Sequence, residues 1–190
     1  EGYEADDIIG TVSEMCDQSG VECRIVTGDR DDLQLITQNT KVLLTTTAKG
    51  QTKTECYGID EVVEKYGVSP GQLLDVKGLM GDSSDNIPGV KGIGEKTALS
   101  LIAEFKNLEG LYEQIDSGKL KGSTLTKLKE GKDMAFLSRK LATIIRDVPI
   151  NVTIEDMKAK EPDSAALYEI FKRLGFNSLI SRLELSPGED

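Results

Sequence analysis

The 190 residues contain no histidine and no tryptophan. Lack of histidine excludes imidazole acid–base catalysis, His-activated nucleophiles and most zinc sites. Cysteine is scarce: Cys16, Cys23 and Cys56 are odd in number and lack metal-type spacing. They read as reduced thiols of a cytosolic protein, not as a disulfide framework. No apolar run approaches the roughly 20 residues of a membrane span. No signal peptide is visible, yet the chain opens inside what reads as a helix start. An α/β unit rarely begins with its helix, so strands and helices ahead of Glu1 are expected to be missing.

Positive charge is also short. Lys and Arg number 23 against 33 acids, a net charge of −10, which taken alone argues against a polyanionic partner. The distribution argues otherwise. Residues 1–36 carry ten acids and two bases, whereas residues 91–140 carry ten bases and seven acids. That asymmetry fits a cation site beside a polyanion track, or two ordinary solvated faces. Apolar residues make up 38% and charged residues 29%, the balance of a soluble globular protein.

Periodicity divides the chain into early strands and late helices. Ile8, Ile9, Val12 and Met15 recur at helical spacing, and Gly20 closes a helix over 1–19. Residues 21–27 alternate as a strand, and a short helix over 32–36 follows. Residues 41–47 and 53–57 read as strands joined at Lys49-Gly50. Helices are expected over 59–66 with Asp60 as a cap, from Ser69-Pro70 to Met80, over 95–105 and over 108–115. A lysine-rich stretch covers 119–130. A helix over 134–145 would turn Met134, Leu137, Leu141, Ile144 and Ile145 inward, residues 148–154 look extended, and Asp163 caps a helix to Leu174 before a last segment over 177–185. The expected fold is an α/β part over 1–66, with a thin three-stranded sheet, packed against an all-helical part over 67–190.

Three groups of carboxylates stand at element boundaries. Glu4, Asp6 and Asp7 open the first helix, where acids also suit the helix dipole. Asp29 and Asp31 follow the first strand, at the end where α/β folds bind ligands, and in extended chain both point the same way. Asp82 and Asp85 lie in a turn-rich loop, where an Asx-type turn is the alternative reading. Seven converging carboxylates would repel and raise one another's pKa unless cations joined them, and carboxylate oxygen is the natural ligand of Mg²⁺. The spacing does not match an EF-hand calcium loop.

Past Asp85 and the three residues Asn86-Ile87-Pro88 comes Gly89-Val90-Lys91-Gly92-Ile93-Gly94, opening a helix at Glu95. Its form is that of a helix-hairpin-helix element. The isoleucine would anchor the turn, Ala98 would allow close helix packing, and the glycines would offer backbone N–H groups to a phosphate. Lys91 and Lys96 flank it. Such contacts hold a nucleic-acid backbone without reading bases.

Three stretches, Gly2-Tyr3-Glu4-Ala5-Asp6-Asp7, Thr27-Gly28-Asp29-Arg30-Asp31 and residues 81–98, resemble the 5′-nuclease domains of bacterial DNA polymerases I, as does 171–179. The resemblance runs in order along nearly the whole chain. It implies a partial PIN-like α/β domain followed by a helical part with a helix-three-turn-helix. The implied activity is that of a structure-specific 5′-3′ exonuclease or flap endonuclease, trimming RNA primers and 5′ flaps in replication and repair.

By motif, Glu4, Asp6, Asp7, Asp29, Asp31, Asp82 and Asp85 would hold two or more Mg²⁺ ions, directly or through water, with Mn²⁺ able to substitute. Gly89, Lys91, Gly92, Gly94 and Lys96 would hold DNA, with a K⁺ ion at the hairpin. Partners would be flapped, nicked or branched duplex, RNA primer–DNA hybrid, and polymerase domains in the same parent chain, in the bacterial cytoplasm and with no membrane. Two-metal hydrolysis of a phosphodiester would need no side-chain nucleophile. Asp32 stands where relatives usually carry leucine and is expected to be a cap or surface acid. The resemblance implies that the family's first strand, with its aspartates, and its arch would precede Glu1, so these 190 residues alone are expected to be inactive or weak. The competing readings are a non-catalytic DNA-binding module and a stand-alone 5′ nuclease without a polymerase.

Overall fold

The computed structural model describes residues 2–158 and 160–188. Helix α1 (Ala5–Ser19) starts where Asp7 accepts the Glu4 N–H at 3.0 Å and stops at Gly20 in the left-handed region, φ 67°. Three strands form one sheet in the order β1-β2-β3: β1 (Cys23–Thr27), β2 (Thr40–Ala48) and β3 (Gln51–Tyr57). Strand β1 begins two residues later than the alternation suggested. It runs parallel to β2, with Ile25 opposite Val42, and β2 runs antiparallel to β3, with Val42 opposite Tyr57. The β2–β3 turn is at Lys49-Gly50, both at positive φ. One face of the sheet buries Ile25, Val42 and Leu44 against Leu33, Leu35, Val62 and Ile144. The other face leaves Val26 70% exposed.

A 3₁₀ turn over Asp31–Leu35 connects β1 to β2, so Asp31 lies in a turn and not in extended chain. Helix α2 (Ile59–Tyr66) is not capped by Asp60. Gly58 is its N-cap, and Glu61 reaches back to accept the Gly58 N–H at 2.8 Å. A 3₁₀ turn, Pro70–Gln72, leads into α3 (Leu73–Met80). Helices α4 (Glu95–Phe105), α5 (Leu108–Glu113), α6 (Gly122–Glu130) and α7 (Lys132–Ala142) complete the helical part. Leu79, Ile102, Leu108, Leu111 and Leu128 are fully buried at its centre.

Helix α7 faces the opposite way from the sequence-based expectation. Met134, Leu137, Leu141 and Ile145 are exposed, Leu141 at 58%, while Ala135, Ser138 and Ala142 point inward; of the expected set only Ile144 is buried. The reason is close approach to α3. A Cβ on Gly78 would lie 2.9 Å from the Ala135 carbonyl and 3.1 Å from the Arg139 Cβ. Helices that close can interpose only small side chains, so the bulky ones are turned out. Residues 148–154 form no strand, and the Ile150 N–H bonds to the Val148 carbonyl within the same segment.

The chain divides into two compact units, one through Asn151 and one from Val152. In the second, Asp163 accepts the Ala166 N–H at 2.9 Å and starts α8 (Ser164–Leu174), which Gly175 ends at φ 72°. Phe171 packs on Phe176, with ring centroids 5.9 Å apart, ahead of α9 (Asn177–Arg182).

Candidate metal centre and nucleic-acid interface

Strand β1 delivers Asp29 and Asp31 to its carboxyl end, and the loop after α3 delivers Asp82 and Asp85. That loop is pinched shut. Asp82 and Ile87 exchange backbone hydrogen bonds of 2.8 and 2.7 Å, and Gly81 lies against Gly89. Gly81 has φ 72°, and a Cβ there would meet the Ile87 oxygen at 2.5 Å, so the crossing of backbones requires glycine. Within the loop the Asp82 carboxylate accepts the Ser84 N–H at 2.8 Å, an Asx turn, and the Ser84 hydroxyl. Asp29 makes the same kind of turn, accepting the Asp31 N–H at 2.8 Å. Both Asx turns leave further oxygen lone pairs on each carboxylate for other partners.

The result is a convergence that sequence separation hides. One carboxylate oxygen each from Asp31, Asp82 and Asp85 lies within 4.8 Å of the others. Glu4, Asp6, Asp7, Asp31 and Asp85 line an open cleft of about 860 Å³. Asp29, Asp31, Asp82 and Asp85 line a neighbouring one of about 480 Å³. Asp31 and Asp85 belong to both, so the two clefts meet at the acids. Burial, then the charges of Asp29, Glu4, Asp7 and Asp85, push the Asp6 carboxyl above its ordinary range. Asp7 has a structural task as well: its two oxygens accept the Glu4 and Ile145 N–H groups at 3.0 and 2.8 Å.

Two residues that the carboxylate pattern did not single out stand in this cluster. Lys77 on α3 places its ammonium against Asp31, 2.9 Å from Asp82 and 3.6 Å from Asp85. Burial works against that charge, but Asp31 and Asp82 outweigh it, and Lys77 lies above the usual lysine range. The Ser84 hydroxyl and Lys77 hold Asp82 down at about 2. Asp31 is pushed up by burial, against Lys77, with Asp29 and Asp85 adding to the rise. Seen from Asp31 the pair is disfavoured and seen from Lys77 it is favoured; the ionised pair accords with an ammonium touching three carboxylates. No periodicity marks Lys77, on a helix that also carries Asp75, as special.

The second is Asp32. It is neither a cap nor a surface acid, as expected above, but 0% exposed, and neither of its oxygens has a hydrogen-bond partner. Burial first, with Asp6, Asp29 and Asp31 adding, raises its pKa to about 6. The nearby Thr27 hydroxyl eases the charge without reaching standard hydrogen-bond geometry.

Helix α3 is fixed by an ion cluster of which Asp75 is the buried member. Arg139 donates to Asp75 at 2.7 Å and to Glu109 at 2.5 and 2.8 Å, and Asp75 accepts the Leu108 N–H at 3.2 Å. The hairpin is held to the same helices. The Gly89 N–H donates to the buried Ser138 hydroxyl at 2.9 Å, so it supports the fold and does not face outward. Gly94 is the N-cap of α4 and no side chain caps that helix, which leaves its first amides for an outside acceptor. Lys91 and Lys96 are exposed. A third cation joins them: Lys127 of α6 donates to the Gly92 carbonyl at 3.1 Å. Thirty-five residues separate Lys127 from Gly92, so no local pattern could have found it.

Residues 1–67 match the profile of the 5′-3′ exonuclease N-terminal resolvase-like domain, and residues 68–165 that of the 5′-3′ exonuclease C-terminal SAM fold. The chain is 50% identical over 186 residues to DNA polymerase I of Caldicellulosiruptor bescii, covering 98% of this chain and 22% of that protein. It is 48% identical over 191 residues to DNA polymerase I of Bacillus subtilis, covering 100% of this chain and 21% of that one. The chain therefore spans about a fifth of these relatives. Among solved structures it resembles T5 5′-exonuclease with bound zinc, at 26% identity and TM-score 0.64, over 76% of this chain and 51% of that one. The catalytic core of Rad2 in complex with DNA shares the fold, at 18% identity and TM-score 0.56, over 90% and 55%. With both family patterns in sequence order across residues 1–165, the chain belongs to the 5′-3′ exonuclease family.

Proposed function

We propose that this chain is the metal-binding and DNA-holding part of a 5′-3′ exonuclease or flap endonuclease borne by a DNA polymerase I. One observation carries the reading: Asp31, Asp82 and Asp85, from segments some fifty residues apart, present oxygens within 4.8 Å of one another, directly beside the hairpin. The donor set fits a hard divalent ion, because it is all carboxylate and already holds a cation, the Lys77 ammonium. Mg²⁺ is the proposed ion, with Mn²⁺ as substitute. Asp31, Asp82 and Asp85 would hold it, and Glu4, Asp6, Asp7 and Asp29, which line the same two clefts, would serve a second ion directly or through water. Bound divalent ions would supply an activated water and stabilise charge at the phosphodiester.

The chain's own residues do the positioning. The Asx turns at Asp29 and Asp82 fix the carboxylates before any ion arrives. Gly92, Gly94, Lys91 and Lys96 would hold the phosphate backbone of flapped, nicked or primer-bearing duplex, and Gly89 supports them from below. K⁺ is proposed at the hairpin carbonyls, where Lys127 already places a cation on Gly92. Residues 1–66 would contribute the nuclease core and 67–190 the DNA-holding helices, a division that accords with the family boundary at 67/68. The setting would be the bacterial cytoplasm. No helix among the described residues is long and apolar enough to cross a membrane.

Fluorescence anisotropy with a 5′-flap duplex in Ca²⁺ tests the DNA-holding half of the proposal. The expected result is binding that weakens at least tenfold in the Lys91→Glu/Lys96→Glu double variant and falls steeply with salt. Equal binding by both chains would refute the interface.

A further inference from the structure

We propose that Lys77 is a tethered counter-cation: its ammonium keeps the metal's place, and a divalent ion loads only by displacing it. The inference rests on the metal reading above and concerns what the cradle does before an ion arrives. Lys77 is buried, and its ammonium contacts Asp31, Asp82 at 2.9 Å and Asp85 at 3.6 Å, the same three acids whose oxygens converge. An ion drawing those oxygens to the roughly 2.0–2.1 Å of Mg²⁺ coordination would take the point the ammonium now holds. Two cations on one set of oxygens repel at short range, so one must leave.

Lysine suits that exchange. Its charge is compact and its four-carbon stem is flexible, whereas an arginine fork would be locked by its geometry. The adjoining cleft of about 480 Å³, lined by Lys77 itself with Tyr66, Met80 and Glu95, gives the displaced ammonium room. Without Lys77 the carboxylates would face one another uncompensated. With it, the cradle is assembled in advance, at the cost of weaker ion binding.

Lys77→Met and Lys77→Gln test this in the 190-residue chain, with Mn²⁺ as probe. Free Mn²⁺ is followed by electron paramagnetic resonance, and thermal melting is recorded in EDTA and in Mn²⁺. Both variants are expected to bind Mn²⁺ at least tenfold more tightly than the unsubstituted chain. They should melt lower in EDTA and gain more from Mn²⁺. Unchanged or weaker Mn²⁺ binding in both, while Asp82→Asn abolishes binding by the unsubstituted chain, refutes the inference and leaves the metal reading standing. No Mn²⁺ binding by any chain refutes the metal reading and this inference with it. Variants that fold only with Mn²⁺ support displacement; variants that stay unfolded even with Mn²⁺ overturn it.

Discussion

Replacing Asp32 with leucine should stabilise the protein. The carboxylate is fully buried, without a hydrogen-bond partner, and its pKa stands at about 6 against an ordinary 3.8. That rise corresponds to roughly 3 kcal/mol by which the ionised form disfavours the folded state near pH 7.5. Because the folded pKa is the higher one, the folded state binds the extra proton. The penalty is thus complete above about pH 6, shrinks as pH falls, and vanishes below about 3.8. Urea unfolding in EDTA, at pH 4.5 and 7.5, measures the difference between Asp32→Leu and the unsubstituted chain. That difference is expected to be about 3 kcal/mol at pH 7.5, or roughly 6–12 °C in Tm for a chain of this size, and to shrink to well under half at pH 4.5. Asp32→Asn, nearly the same shape without the charge, should recover part of the gain. A difference independent of pH, or a leucine variant less stable at pH 7.5, would refute the argument.

Two further substitutions probe the frame around the acids. Arg139→Met strands the buried Asp75 carboxylate, whose side chain is 10% exposed, and should cost about 3 kcal/mol in urea unfolding; a loss under about 1 kcal/mol would show that Asp75 finds water or another donor. Gly89→Ala puts a Cβ at φ 61° into the Gly81 backbone and should cost about 3 kcal/mol or more. A change within about 0.5 kcal/mol would mean that the loop opens without penalty.

Much of the local structure was readable from residue order. Gly20 and Asp163 mark helix ends, Lys49-Gly50 marks the hairpin, and the α4 boundaries follow from Gly94 and the apolar spacing after it. Each depends on backbone φ or on hydrogen bonds within a few residues, so a short window contains the cause. The same holds for the acids at element boundaries and for the glycine hairpin. The orientation of α7 was not readable. Its bulky residues recur at helical spacing, which identifies a stripe but not what lies against it; Gly78 on another helix decides that small residues face inward.

Three features of the site likewise depend on chain segments meeting in space. Asp32 is adjacent to a candidate ligand and reads as a cap, yet the 3₁₀ turn after β1 rotates it into the interior. Lys77 is one more helical lysine until β1 and the 82–85 loop bring three carboxylates around it. Ser138 looks incidental until it receives the Gly89 N–H. Residue order carries what neighbours along the chain can enforce: turns, caps, and which side chains have the chemistry to bind an ion. Which of those groups share a cation, which are shut away from water and which face outward is set by packing between distant segments. The energies involved come from desolvation and charge at a few ångströms, and those distances exist only once the helices have closed on the sheet.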